Sequence, residues 1–214
     1  MAIVVVGGHT RSIGKTSVVA GLIATLPDRN WTAFKVTQFG HGICSANGEP
    51  CDCETDAHTV AVTEERDPTT GTDSARFLNA GAVRSFWVRT RQGQLAEAMP
   101  RVRKELASAA NAIIESNSIV RFLKPDLYLT VLDPSIADFK PSAQYFLDRA
   151  GAVLWSGSDL RHESRETTAW PAALLQIVRN KPQFFVEAPL FASDELTDFV
   201  VRAVSVPHSS QPTS

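Results

Sequence analysis

The sequence predicts an α/β protein in which helices cover both faces of a mainly parallel sheet. Short apolar runs such as residues 3–6 are rich in β-branched side chains, which is typical of buried parallel strands. These runs alternate with segments of helical periodicity, and that alternation indicates repeated strand–helix units. The chain has 214 residues, of which 43% are hydrophobic, enough to bury one substantial core. We therefore expect a three-layer α/β sandwich built as a single domain.

The strands are predicted from apolar or β-branched runs that end at turn residues or at a carboxylate. The first run ends at Gly7, and two later runs end at Glu115 and Asp133. On this basis we expect strands at 3–6, 31–37, 85–90, 112–115, 127–132, 153–155 and 184–186.

The helices are predicted from apolar side chains that recur on one face. The first helix carries such a face from Val18 to Leu26 and stops at Pro27. In the third, Pro100 implies a kink or a late start. We expect helices at 15–26, 72–81, 95–106, 143–150, 172–178 and 194–204.

The segment 38–71 has little periodicity, and such long loops are usually functional or disordered. We expect one domain over 1–206, with this segment as a cysteine-containing insertion, and a disordered polar tail at 207–214. No internal repeat or domain linker is evident.

Composition excludes several classes of protein. The net charge of −2 provides no basic field for nucleic acid or an anionic membrane. No apolar run approaches the roughly 20 residues of a membrane span. The chain starts without a basic leader and has only three cysteines, so we expect a cytoplasmic, reducing environment.

The segment between the first strand and the first helix has the composition of a phosphate-binding loop, or P-loop. Glycines let the backbone curve around phosphates, and a helix N-terminus offers free N–H groups and partial positive charge. Lys15 would reach the β- and γ-phosphates of ATP or GTP, and the Thr16 hydroxyl would bind Mg²⁺. The predicted nucleotide-binding residues are Gly8, His9, Arg11, Ser12, Ile13, Gly14, Lys15, Thr16 and Ser17.

The spacing of this loop departs from the usual pattern of glycine, four residues, then Gly-Lys-Ser/Thr. Five residues separate Gly8 from Gly14, and the usual position of the first glycine is His9. Either the loop is one residue longer, or His9 adopts a conformation that glycine normally supplies.

A phosphate loop also needs a carboxylate near Mg²⁺ at the end of a neighbouring strand. Glu115 is the first candidate for this catalytic and metal-binding role, and Asp133 is the second. The alternative for either residue is a cap on the turn that follows. Residues 138–140, Asp-Phe-Lys, are a weaker candidate for contact with the nucleotide base, and a solvated loop is the favoured interpretation there.

The order of these motifs resembles the MobB family, over roughly residues 2–140. The matching segments are Phe34-Lys35-Val36, Asp73-Ser74-Ala75-Arg76, Ala80-Gly81-Ala82 and Ile113-Ile114-Glu115. Members of that family are P-loop proteins of molybdopterin guanine dinucleotide biosynthesis that bind GTP. They are related to dethiobiotin synthetase, whose loop spacing this chain shares, and to metallocentre-assembly GTPases. The resemblance implies a GTP-binding accessory protein, a partner protein in cofactor biosynthesis and a homodimer.

Where the MobB loop is rich in histidine, this chain has its three cysteines within ten residues. Cys44, Cys51 and Cys53 could bind Zn²⁺, with His41, His58 or a second subunit supplying the fourth ligand. Free thiols and a redox role are the alternatives.

We therefore expect a Mg²⁺-dependent nucleoside triphosphatase that serves cofactor or metallocentre assembly. The first alternative is a small-molecule kinase or ATP-dependent ligase similar to dethiobiotin synthetase. The second is a nucleotide-binding regulator without turnover. Phosphate release without an acceptor favours the triphosphatase. Turnover only with an added metabolite favours the kinase or ligase, and tight nucleotide binding without turnover favours the regulator.

Overall fold

A computed structural model describes residues 1–39, 60–157 and 170–205. The strands are β1 (Ile3–Gly8), β2 (Trp31–Phe39), β3 (Val60–Glu65), β4 (Arg84–Arg91), β5 (Asn111–Glu115), β6 (Leu127–Leu132), β7 (Ala152–Ser156) and β8 (Gln183–Val186). The helices are α1 (Lys15–Thr25), α2 (Asp73–Asn79), α3 (Leu95–Ala107), α4 (Pro141–Phe146), α5 (Ala172–Arg179) and α6 (Asp194–Ser205). Short 3₁₀ turns lie at Pro27–Arg29, Ser118–Arg121 and Leu147–Arg149.

The described strands form one sheet in the order β3-β4-β2-β5-β1-β6-β7-β8. All neighbouring pairs are parallel except β3 with β4, which is antiparallel. The predicted fold class, a three-layer α/β sandwich with a mainly parallel sheet, is confirmed. β1 lies between β5 and β6, so the loop after β1 opens at the carboxyl edge of the central strands.

The strand β3 corrects the expectation that 38–71 is without regular structure. Val60 pairs with Thr90 and Glu65 with Ser85 across an antiparallel ladder. β3 is an edge strand with no fully buried residue, so it lacks the apolar run by which the buried strands were predicted.

The three layers follow from the alternation of side chains along each strand. In β1, Val4 and Val6 pack in the core under α1, α2 and α6, whereas Val5 packs in the core under α3. A third cluster joins α4 and α5 to β6 and β7. Burying a large apolar side chain contributes about 1.5–3 kcal/mol, so these clusters supply most of the driving force for folding.

The helices match their predicted positions, with one correction. α3 begins at Leu95 and runs through Pro100, so the late start proposed for Pro100 is wrong. Pro100 is exposed to solvent, whereas Leu95, Met99 and Val102 of the same helix are buried. None of the helices described is long and apolar enough to cross a bilayer.

The first helix also packs closely against the segment that follows β8. Gly21 of α1 is buried, and a methyl group built on it would lie 2.0 Å from the carbonyl oxygen of Leu190. The adjoining Phe191 reaches the phosphate loop, since a methyl group on Gly14 would lie 3.5 Å from its ring. Gly21 thus allows the carboxyl-terminal third of the chain to contact both α1 and the loop.

We predict that Gly21→Ala destabilises the protein, although alanine is the better helix former. Replacing glycine inside a helix normally gains about 1 kcal/mol. Here the clash with Leu190 requires backbone movement, for which overpacking costs of roughly 1–3 kcal/mol are typical. Urea unfolding measures the difference, and Ala24→Gly at an exposed site of the same helix calibrates the helix-propensity term. A Gly21→Ala variant more stable than the parent would contradict the close packing.

Candidate functional site

The loop between β1 and α1 has the backbone geometry of an anion-binding turn. Gly14 is left-handed, with φ 92°, and immediately precedes the helix. Ser12 is also left-handed, with φ 57°, whereas His9 is not among the residues of positive φ. The second alternative for the loop spacing is therefore wrong, because His9 does not adopt the positive φ that glycine normally supplies.

Lys15 points back into this loop. Its Nζ donates a hydrogen bond of 2.5 Å to the carbonyl oxygen of Thr10. Burial lowers the pKa of Lys15 to about 8; the Glu115 carboxylate opposes this decrease, and nearby lysines add to it. A phosphate group entering the loop would place a negative charge beside the Lys15 amine and so favour its protonated form.

Glu115 lies at the centre of a cluster of polar side chains. Its Oε2 accepts a 2.8 Å hydrogen bond from the Thr16 hydroxyl, and its Oε1 accepts one of 2.6 Å from Lys35 Nζ. The register explains the meeting, because Glu115 pairs with Val6 of β1 and with Lys35 of β2. Asp73, the first residue of α2, forms a second 2.6 Å ion pair with Lys35. The Glu115 side chain is only 4% exposed, so its charge depends on these partners.

This cluster has the donor set that Mg²⁺ uses with nucleotides. Mg²⁺ is held by one or two carboxylates, a hydroxyl and phosphate oxygens rather than by an all-protein cage. Thr16, Asp73 and Glu115 could supply the protein share of such a set. Among residues 1–39, 60–157 and 170–205, no group of three or more His, Cys, Asp or Glu side chains is placed to hold a metal ion.

The proposed zinc site lies outside the described residues. Cys44, Cys51, Cys53, His41 and His58 all fall between positions 40 and 59. The zinc hypothesis therefore stays a prediction.

The structure does not bring Asp133 to Glu115. β1 separates the ends of β5 and β6, and Asp133 follows β6 on the side facing β7. Its Oδ1 accepts hydrogen bonds from the Ser135 amide (2.9 Å) and hydroxyl (2.6 Å). A methyl group on Gly157 would lie 3.3 Å from this same oxygen. Asp133 thus caps the turn that follows β6 without contacting Glu115, although both residues line the same groove.

Asn117 is a site residue that sequence reasoning missed. Its Oδ1 accepts a 2.8 Å hydrogen bond from the Gly8 amide, and its Nδ2 donates one of 2.8 Å to the Gly8 carbonyl. The Tyr128 hydroxyl also donates to Oδ1, at 3.3 Å. A methyl group on Gly7 would lie 2.1 Å from Oδ1, so this approach requires glycine. The one available signal was a buried strand that ends two residues earlier, at Glu115.

His9 anchors the loop in the protein interior, against two aromatic side chains. Its ring is fully buried, and the centroid of the ring lies 5.3 Å from that of Phe139 and 5.1 Å from that of Trp170. Neither ring nitrogen has a hydrogen-bond partner of good geometry among the described residues. The Lys140 amide donates a 2.8 Å hydrogen bond to the His9 carbonyl.

The neighbouring Asp138 accepts a hydrogen bond from the Thr10 hydroxyl. Residues 138–140 therefore contact the phosphate loop. Asp138 is exposed to solvent, in line with the favoured interpretation of this segment, whereas Phe139 is buried.

The remaining loop residues line a groove of about 1780 Å³ at the carboxyl edge of the sheet. Arg11 and Ser12 are exposed at its rim, and Ile13 is buried beneath it. Ser17, in the first turn of α1, accepts a 3.1 Å hydrogen bond from Arg76 of α2. The groove is lined by Gly8, the predicted loop residues from Arg11 to Ser17, Glu115 and Asp133, whereas His9 is buried and does not line it.

The strand order, the loop after the central strand and the helix that follows it define the P-loop nucleoside triphosphatase fold. HypB from Helicobacter pylori, solved in complex with nickel, shares this fold with a TM-score of 0.51 and 13% identity. The match covers 94% of this chain and 86% of HypB. No family model and no curated protein matches the sequence.

Two other solved structures are similar at lower TM-scores. LpxK from Aquifex aeolicus in complex with ATP gives 0.49 at 17% identity, over 86% of this chain and 53% of LpxK. This chain thus spans about half the length of LpxK. MobB from Bacillus subtilis gives 0.40 at 15% identity, over 95% of this chain and 98% of MobB. The match to HypB, at 13% identity, shows similarity of fold alone.

We predict that the buried His9 makes stability depend on pH. Burial lowers the pKa of His9 below 6.5; the carbonyls of Val131 and Ile136 and the Asp133 carboxylate oppose this shift, and Lys15 adds to it. Since the folded state holds His9 neutral, the unfolded state binds the additional proton. Its contribution is full above pH 6.5 and is lost as the pH falls towards the lowered value, by at most about 1.4 kcal/mol per pH unit.

The measurement is the free energy of unfolding between pH 7.5 and 5, for the parent and for His9→Phe. The phenylalanine variant should lose this component of the slope, because it cannot be protonated. His162→Phe, which changes a histidine outside the described residues, serves as the control. Equal slopes in the parent and His9→Phe would exclude His9 as the source.

Proposed function

We propose that this protein is a Mg²⁺-dependent nucleoside triphosphatase that binds its nucleotide on the loop from Gly8 to Ser17. The observation that carries the proposal is the 2.8 Å hydrogen bond between the Thr16 hydroxyl and Glu115, directly behind the loop that presents Lys15. A hydroxyl in the first turn of a helix, together with a buried carboxylate at the end of a neighbouring strand, is the pair that would hold Mg²⁺ beside bound phosphates.

The residues of the chain would act mainly by position and charge. The N–H groups of the loop and of the first turn of α1 would bind phosphate oxygens. Lys15 would donate to the β- and γ-phosphates in place of the Thr10 carbonyl. Asn117 would keep the start of the loop in place, so that little ordering is needed when the nucleotide binds. Mg²⁺, when bound, supplies positive charge to the phosphates.

We further propose that the nucleotide is GTP and that the protein serves cofactor or metallocentre assembly with a partner protein, as a homodimer in the cytoplasm. The support is the order of motifs that resembles MobB: Lys35 on β2, Asp73 at the start of α2 and Glu115 at the end of β5. In the structure Lys35 forms ion pairs with both Asp73 and Glu115.

A second function, transfer of the phosphoryl group to a small molecule, is favoured by the size of the groove. Binding sites for small molecules usually measure about 300–1,000 Å³, and this groove measures about 1780 Å³. The lining of the groove extends beyond the phosphate loop to Trp87, Arg121 and Tyr145, and its volume would admit an acceptor beside the nucleotide. Phosphate release without any acceptor supports hydrolysis, and turnover only with an added metabolite supports a kinase or ligase.

We predict that Lys15→Ala lowers the affinity for Mg²⁺·GTP by about ten- to a hundredfold, since charged hydrogen bonds contribute about 1.5–3 kcal/mol. Isothermal titration with GTP and with ATP measures the affinity and identifies the preferred base. Lys124→Ala, which removes an exposed lysine away from the groove, is the matched control. Equal affinities in the parent and in Lys15→Ala would remove the nucleotide site from this loop.

We predict that Glu115→Gln lowers turnover by roughly a hundredfold, the scale of losing one preorganised electrostatic contact, and changes nucleotide affinity much less. The amide retains the size of the side chain but loses the charge facing Thr16. Phosphate release under saturating nucleotide measures the effect, and a melting curve verifies that the variant folds. Asp133→Asn is the comparison. Normal turnover in Glu115→Gln with loss in Asp133→Asn would reverse the two assignments.

A further inference from the structure

The ammonium group of Lys35 lies among the groups that the proposed function assigns to Mg²⁺. Its Nζ is 2.6 Å from Asp73 Oδ2 and 2.6 Å from Glu115 Oε1. The hydroxyl oxygen of Thr16 is 3.4 Å from the same Nζ. All three prospective metal ligands therefore surround one tethered cation.

This position has a chemical reason. Glu115 is buried, Asp73 is 38% exposed, and the two carboxylates both contact Nζ. Two converging carboxylates without a cation would repel each other and raise the free energy of the folded state. Lys35 is only 17% exposed, so solvent weakens these ion pairs less than it would at the surface.

A divalent cation and this ammonium cannot occupy the same ligands. Lys15 adds a second positive charge close by, since it immediately precedes Thr16 and lines the same groove as Lys35 and Glu115. The four side chains Lys15, Lys35, Asp73 and Glu115 together carry no net charge in their ionised forms. The protein without nucleotide therefore has little electrostatic attraction for Mg²⁺, whereas the phosphates of a nucleotide would supply the missing negative charge.

We propose that Lys35 is a built-in competitor of the divalent cation, so that the metal binds only together with nucleotide phosphates. The inference rests on the proposed function and deepens it by stating how metal binding at this site is controlled. Lys35 is a positioning residue. Its ammonium group occupies the carboxylates of Asp73 and Glu115 until the metal–nucleotide complex displaces it.

The first experiment measures Mn²⁺ binding without nucleotide, by electron paramagnetic resonance, for the parent, Lys35→Met, Lys35→Arg and Lys140→Met. Removing the competing charge should raise the association constant of Lys35→Met by about tenfold or more, because like charges a few ångströms apart repel strongly. Lys35→Arg keeps the charge, and Lys140→Met removes a charge from the same groove without touching Asp73 or Glu115. Neither of these controls should bind Mn²⁺ more tightly.

Unchanged or weaker Mn²⁺ binding in Lys35→Met would overturn the inference. Equal increases in Lys35→Met and Lys140→Met would also overturn it, because the effect would then be one of general charge. If the parent still binds nucleotide in either case, the proposed function is retained and only the inference about Lys35 fails. If the parent binds neither Mn²⁺·GTP nor Mn²⁺·ATP, the proposed function and the inference both fail.

A second measurement uses the unaltered protein, because Lys35→Met leaves Glu115 without its ion pair and is at risk of unfolding. Acetylation of lysine amines is followed residue by residue with mass spectrometry. Saturating Mn²⁺ with nucleotide, compared with nucleotide alone, should raise the labelling rate of Lys35 several-fold, while Lys140 serves as the internal reference. An unchanged ratio of Lys35 to Lys140 labelling would show that the metal does not displace the ammonium group.

Discussion

The buried carboxylate of Glu115 is the constraint on which the rest of the site depends. A charge that is nearly withdrawn from water must be satisfied by its neighbours. Glu115 obtains its partners from the start of α1 and from β2, and through Lys35 from the start of α2. Three segments that are distant in sequence are therefore held at one point, and the phosphate loop lies directly above it.

A second constraint acts on the backbone of the loop itself. Asn117 hydrogen-bonds the amide and the carbonyl of Gly8 as a neighbouring strand would, beyond the last residue of β5. His9, one residue further, is enclosed by aromatic rings. The loop thus enters its turn from a rigid base, and its conformational entropy has already been lost on folding. Such preorganisation leaves more of the interaction with phosphate available for binding.

Much of this architecture was predictable because burial leaves a local trace in sequence. The six residues of β6 are all buried and were predicted to the residue, whereas the half-exposed β3 was missed. The site was predictable where its chemistry is local, as in the loop around Lys15. Asn117 and the meeting of Lys35 with Asp73 depend on strand order and on side chains far apart in the chain. No window of sequence contains that information, and only the resemblance to MobB placed Lys35 and Asp73 near the site.

The position of β1 between β5 and β6 has a consequence for synthesis of the chain. β1 has no partner strand until residues from Asn111 onwards have left the ribosome, and the Gly8–Asn117 contact spans 109 residues. At roughly 5–20 residues per second, about ten seconds pass while the apolar run of β1 waits unpaired. Folding is then dominated by long-range closure, which is slow. Newly made chains therefore expose the apolar β1 until its partner strands are made, and we expect translation speed and chaperone supply to influence the yield.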